Sequence, residues 1–227
     1  MNDAPTTQAK RVAFYVDGYN LYHSINNIVK NNPGLNYLKW LDLRKLFSNF
    51  LVSGQEELVD IFFYTAEPTH TKPDVQNRYR ALLDAYQRFL NIRAVYGKFK
   101  AKPASCKQCH ATWWRHEEKE SDVNLALGIV QAAYERQYDK VYIVTQDSDM
   151  APAVALAERV CPGLVHLLTP PAIRHSHEIS RILGGRTSQI QLVHLQHSLM
   201  PACFLDKTGA VAVHRPVEYT PPTNPLP

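Results

Sequence analysis

The chain has 227 residues, with 25 Lys and Arg against 21 Asp and Glu, a net charge of +4 with histidine neutral. With 45% hydrophobic and 20% charged residues it lies in the globular range, which excludes collagen, coiled coil and wholesale disorder. No apolar run reaches the roughly 18 residues of a membrane span, and Met1 to Arg11 lacks an apolar signal core, so the expectation is a soluble cytoplasmic protein with no membrane partner.

In chain order, residues 1–10 carry no periodicity and read as a tail. Short apolar runs then recur at Val12–Val16, Val59–Tyr64, Ile92–Tyr96, Val141–Thr145 and Leu164–Leu168, each suited to a buried strand. From Val75, the positions Tyr79, Leu82, Leu83, Tyr86, Phe89 and Leu90 follow helical spacing, as do Leu127, Val130 and Tyr134 after Val123. Asp149–Val160 and Ala172–Leu183 also read as helices, and the helix that opens near Asp122 is expected to run to about Tyr138. Gln189–Leu195 reads as a further strand or a helix end, and Ala210–His214 as a short strand. Strands alternating with helices predict a three-layer α/β fold, a mostly parallel sheet of about five strands with helices on both faces. Residues 11–195 form the expected domain, with a basic insert at about 97–119, an appendage at 196–215 and a Pro-rich tail at 216–227.

Position makes the carboxylates informative, because open parallel sheets bind ligands beyond the carboxyl ends of their strands. Asp17 directly follows the first apolar run. Asp147 and Asp149 follow the fourth, and Asp122 opens a helix. Taken singly, each is equally an ordinary cap or turn residue. Gathered at one sheet edge they would repel one another, and oxygen-only donors select hard cations, so Mg²⁺ or Mn²⁺ is the expected occupant. Sites of this kind serve phosphodiester hydrolysis, where metal activates water and stabilises the leaving oxygen, and no protein nucleophile is needed.

Three motifs occur in order: Tyr15-Val16-Asp17-Gly18-Tyr19-Asn20, then Glu117-Glu118-Lys119-Glu120-Ser121-Asp122-Val123-Asn124, then Thr145-Gln146-Asp147-Ser148-Asp149-Met150. Each alone is unspecific. As an ordered trio they resemble the NYN domain, in particular its LabA-like branch, a family similar in fold to the PIN nucleases. The resemblance covers roughly residues 11–195 and extends to Pro170-Pro171 with Arg174 and Ser176, and to Arg215-Pro216. It implies an Mg²⁺- or Mn²⁺-dependent endoribonuclease leaving 5′-phosphate and 3′-hydroxyl ends. Asp17, Asp122, Asp147 and Asp149 would then be metal ligands or water anchors. Asn20 would orient a carboxylate or bind phosphate, unless it is an ordinary turn residue. Glu118 and Lys119 would add a ligand or a phosphate contact, Thr145 would bond a metal-held water, and Glu117 and Glu120 read as solvated. Thr145-Gln146 departs from the Ser-Gly or Ser-Ala common in relatives, which alters the local shape without removing a ligand.

Between Arg93 and Lys119, seven cations face two carboxylates, a net +5 that exceeds the charge of the whole chain. Lys98, Lys100, Lys102, Arg115 and Lys119, interleaved with Trp113 and Trp114, are the pairing that single-stranded nucleic acid needs, and they read as an RNA-guiding loop. The plainer reading is a solvated edge with both tryptophans packed beneath. Within it, Cys106-Lys107-Gln108-Cys109-His110, with His116 beyond, suggests a structural Zn²⁺ site of Cys106, Cys109, His110 and His116, although a full tetrahedral set is not evident. Haem attachment and thiol redox chemistry fit poorly, since no export signal or strand-to-helix turn accompanies the pair.

Competing classes are weaker. A topoisomerase-primase site would want Glu after the first strand, where Asp17 stands. An aspartyl-phosphate phosphatase would want two aspartates there, and no glycine-rich dinucleotide loop follows a strand. The non-enzymatic alternative is a catalytically silent RNA-binding or regulatory module. Whether the chain forms a homodimer is left open by the sequence.

Overall fold

The computed structural model describes residues 8–222. In chain order the elements are β1 (Lys10–Asp17), α1 (Gly18–Asn31), a 3-10 helix (Pro33–Lys39), α2 (Leu43–Ser48), β2 (Glu56–Thr65), α3 (Pro73–Phe89) and β3 (Arg93–Tyr96). An inserted ribbon of β4 (Lys98–Ser105) and β5 (Thr112–Lys119) follows, then α4 (Ser121–Glu135), β6 (Lys140–Val144), a 3-10 turn (Ser148–Met150) and α5 (Ala151–Val160). The remainder comprises β7 (Val165–Thr169), α6 (His177–Ile182), β8 (Thr187–Gln189), α7 (Leu192–Gln196), β9 (Cys203–Leu205), β10 (Val211–His214) and a 3-10 turn (Val217–Tyr219).

The central sheet has six strands in the order β3-β2-β1-β6-β7-β8, and every pairing is parallel. One strand more than expected is present, because β8 is a short polar edge strand lying just before Gln189–Leu195, which divides between the last residue of β8 and α7. The layers match the expected three-layer α/β architecture. Along β1, Val12, Phe14 and Val16 join a core with α1, α2 and α3, while Ala13 and Tyr15 join a second core with α4, α5 and α6. Burial on both faces explains why the central strands read as unbroken apolar runs. Phe14 shows the density achieved, its ring stacked 4.3 Å from Phe47 and 4.7 Å from Tyr142.

Two glycines set how closely the helices approach the sheet. A Cβ on Gly128 of α4 would lie 2.2 Å from the Tyr64 hydroxyl and 3.0 Å from the Tyr15 ring. A Cβ on Gly18, at the start of α1, would meet the Phe63 ring at 2.6 Å and the Tyr64 carbonyl at 2.8 Å. Both helices therefore pass the sheet at distances no side chain permits.

Three helices differ in extent from the sequence reading. Helix α4 ends at Glu135, where Arg136 turns left-handed (φ 50°) and caps it. Helix α5 starts at Ala151, because Ser148–Met150 forms a separate 3-10 turn capped by Asp147. Helix α6 starts at His177, not Ala172: Pro170 and Pro171 precede Ala172, which sits at φ 58°, and Ser176 supplies the N-cap. Towards the C-terminus, β9 and β10 pair antiparallel, and Met200, Val213 and Tyr219 are buried in the core that also holds α1 and α3. The chain thus continues to pack as far as Tyr219, inside the expected Pro-rich tail, while residues 1–7 and 223–227 of the two expected tails lie outside the described residues.

Candidate active site

Strand order reverses at β1, with β2 on one side and β6 on the other. Such a switch point opens a crevice at the carboxyl ends of the strands, where loops diverge. Asp17 ends β1, and Asp147 and Asp149 follow β6 directly, so chain topology brings the first and third motifs to this crevice.

Asp17 is buried, at 6% exposure. As the N-cap of α1 it accepts hydrogen bonds from the Asn20 backbone N–H (2.9 Å), the Asn20 side-chain amide and the Thr145 hydroxyl (3.1 Å). Those donors favour the carboxylate, yet burial outweighs them, and the charges of Asp122 and Glu118 add to it, raising its pKa from 3.8 to about 6. Asn20 also accepts from the Gln146 backbone N–H (3.2 Å). Its amide is thereby spent joining the end of β1 to the end of β6, a positioning role rather than that of a free turn residue.

Thr145 is wholly buried. Its hydroxyl donates to Asp17 and accepts from the Asp147 N–H (3.1 Å), so it links two carboxylate residues and is removed from any substrate surface. This differs from the expected bond of Thr145 to a metal-held water, since its donor and acceptor bonds are both made within the protein. Asp147 in turn accepts from the Asp149 N–H at 2.9 Å. The resulting relay, Asn20 to Asp17 to Thr145 to Asp147 to Asp149, fixes the loop after β6 against the end of β1.

Asp122, in the first turn of α4, is raised by burial and then by the charges of Asp147 and Asp149. Glu118, near the end of β5, is raised by burial and by the charge of Asp122. These mutual effects put Asp17, Glu118, Asp122, Asp147 and Asp149 in one electrostatic neighbourhood. Among the described residues, no three His, Cys, Asp or Glu side chains converge closely enough as placed to hold a metal ion. The donor chemistry nonetheless suits a hard cation. All five groups are carboxylates, and Glu118 Oε1 is buried without a hydrogen-bond partner, a state that a cation would relieve.

The basic insert is a regular antiparallel ribbon, not a loop. Lys98, Lys100 and Lys102 alternate with Phe99, Ala101 and Pro103 in β4, but β5 has no such period, since most of the ribbon is exposed on both faces. Trp113 and Trp114 are 51% and 67% exposed, so neither packs beneath it. Several of its cations are occupied: Lys102 and Lys119 bind Glu117 at 2.8 and 3.1 Å, Arg115 lies 3.8 Å from it, and Lys98 pairs with Glu120. Glu117 is held down at about 2 by Lys102 and Lys119, so it is an ion-paired residue and not merely a solvated one. Lys100 is exposed opposite Glu117 in the ladder.

At the ribbon's turn, the Cys106 sulfur accepts backbone N–H bonds from Cys109 and Gln108, which hold its thiol below the usual range, and His110 is left-handed at φ 55°. Cys106 and Cys109 therefore do come together. His116 does not join them. It pairs with Ala101, roughly 13 Å down the strand at about 3.3 Å per residue, and its ring stacks on His70 at 4.5 Å. The four-ligand zinc set expected from sequence is corrected to exclude His116.

Comparison with known proteins follows this geometry. The chain is 30% identical over 180 residues to a 6-hydroxy-3-succinoylpyridine 3-monooxygenase of Pseudomonas putida, a match covering 64% of this chain and 55% of that protein. It thus spans about half the length of that curated relative. A crystal structure of a protein of unknown function from Vibrio parahaemolyticus superposes with a TM-score of 0.53 at 14% identity, covering 88% of this chain and all of the other, which is a likeness of fold. The family model for the NYN domain matches residues 11–162, from the second residue of β1 to just past the end of α5, and spans all three motifs. The chain belongs to the NYN domain family, and its three-layer α/β architecture is PIN-like.

Proposed function

We propose that the protein is a metal-dependent endoribonuclease of the LabA-like branch, acting on single-stranded or loop RNA in the cytoplasm. The observation that supports this reading is that Asp17, Glu118 and Asp122 are all raised by burial and by neighbouring carboxylates, Asp17 to about 6, with Asp147 and Asp149 bearing on Asp122. Asp17, Asp122, Asp147 and Asp149, with Glu118 beside them, would hold Mg²⁺ or Mn²⁺. A divalent ion there would activate water and stabilise the leaving oxygen, giving 5′-phosphate and 3′-hydroxyl ends. The protein's own part is to keep these oxygens ionised and oriented, through Asn20 and Thr145, and to offer the exposed Trp113, Trp114 and Lys100 to the strand. The Cys106–Cys109 turn would supply two thiolates to a structural Zn²⁺ completed by other donors.

The test is the purified chain on a mixed RNA pool with Mg²⁺, Mn²⁺ or chelator. Cleavage that requires the ion and disappears in Asp147→Asn supports the reading, whereas cleavage indifferent to both overturns it. RNA binding without turnover would mean a silent module. The likeness to a monooxygenase gives a second reading, oxidation of a small nitrogen heterocycle. Turnover of such a compound with dioxygen and a reductant, insensitive to RNA, would favour it.

A further inference from the structure

Beside the carboxylate crevice lies an apolar cavity of about 230 Å³ between α1, the carboxyl end of β2 and α3. Gly18 and Tyr19 line it, so it opens next to the residue that follows Asp17. Aromatic rings, tilted against one another, form much of its wall. The Tyr19 and Phe99 rings stand 6.5 Å apart, and His70 packs 4.4 Å from Phe99. Two cations share the lining. Arg78 is neutralised by Asp74 and Glu218. Among the described residues no carboxylate pairs with Lys39: its ammonium donates to the neutral Asn26 amide oxygen at 2.9 Å and lies 5.5 Å from the Tyr22 ring. Burial and the nearby Arg78 charge hold Lys39 below its usual range, in agreement with an unopposed cation. Pockets for drug-sized ligands run to about 300–1,000 Å³, so this one has room for a single ring system. Stacking surfaces beside an uncompensated positive charge suit a planar heteroaromatic ring that carries an anion.

We propose that this slot receives one nucleobase of the RNA, beside the carboxylate crevice, with Lys39 answering the phosphate of that nucleotide. The identity of the polymer rests on the nuclease reading; the chemistry of the slot does not. The test uses the full chain in chelator and measures binding of the four nucleoside 5′-monophosphates and their nucleosides by ligand-detected NMR. Val75→Phe fills the slot from its half-buried rim, Lys39→Gln removes the charge, and thermal melts check folding. At least one monophosphate should bind, and Val75→Phe should weaken it about tenfold, the scale of one lost stacking contact. Lys39→Gln should reduce that monophosphate to the affinity of its nucleoside and leave the nucleoside unaffected. On RNA, both variants should change the base preference next to the cut.

Absence of monophosphate binding, or an unchanged cutting pattern in Val75→Phe, overturns the slot. So does preferential binding of 6-hydroxy-3-succinoylpyridine over every nucleotide. A chain that binds monophosphates but cuts no RNA would sink the hydrolytic reading and leave the slot standing. A chain that cuts RNA identically in parent and Val75→Phe would do the reverse.

Discussion

The two edges of the central sheet treat carboxylates in opposite ways. At the amino edge, Glu56 opens β2 and binds Lys140, the first residue of β6. Burial would raise its pKa, but the Lys140 hydrogen bond and charge pull it down. Glu158 likewise meets Arg186 at 2.5 Å and accepts the Gly163 and Val165 N–H groups (3.0 and 2.9 Å) at the start of β7, and its pKa falls despite burial. At the carboxyl edge, Asp17, Glu118 and Asp122 are all raised, with carboxylates for neighbours. The amino edge uses its acids to hold strands in place. The carboxyl edge keeps its acids at a cost in stability, which has meaning only if they serve something that binds there.

Removing Asp17's charge should break this contrast most visibly. Asp17→Asn should abolish RNA cleavage, a loss of at least about a thousandfold if its electrostatic contribution to the transition state resembles that of other preorganised groups. The same variant should be more stable. Moving the carboxyl from 3.8 to about 6 corresponds to as much as about 3 kcal/mol of strain in the ionised form, to be read from denaturant midpoints at neutral pH. Glu158→Gln at the other edge should do the opposite, costing about 2–3 kcal/mol with cleavage by the folded fraction unchanged.

The pH dependence sharpens the same point. A raised carboxyl binds its proton more tightly in the folded chain, so its contribution favours folding most below about 4, declines as pH rises through about 6, and is then constant. Cleavage should run the other way, rising as Asp17 ionises through about 6 in limiting metal, and the stability slope over that window should vanish in Asp17→Asn. The smallest effect is expected outside both edges. Trp114→Ala in the ribbon should weaken single-stranded RNA binding by about 1–3 kcal/mol without altering stability or the ion requirement.

Much of this architecture is legible in the sequence, and the failures have identifiable causes. The central strands announce themselves because burial on two faces demands uninterrupted apolar residues, and the acids stand out because they follow those runs at once. Edge strand β8, with the polar residues Thr187, Ser188 and Gln189, has no such signature. Strand β4 does alternate, Lys98, Lys100 and Lys102 with Phe99, Ala101 and Pro103, but Pro103 reads as a breaker, and β5 has no alternation because neither of its faces is core. Helix α1 does carry apolar residues at helical spacing, Leu21, Ile25, Ile28 and Val29, but polar residues and the adjacent Asp17 motif obscure them. At the site, the aspartates follow from motif order, whereas the burial of Thr145 and its double hydrogen bond depend on β1 and β6 lying side by side. The aromatic slot is the least legible, assembled from Tyr19, Lys39, Phe99 and others that no local pattern connects.

The hydrogen bond from Thr145 to Asp17 spans 128 residues. Neighbouring strands in space are therefore distant in the order of synthesis, and the β-strand that completes the crevice emerges from the ribosome long after the one that begins it. A chain ending before Thr145 would hold Asp17, Glu118 and Asp122 but lack Asp147, Asp149 and the hydroxyl that ties the end of β1 to the end of β6.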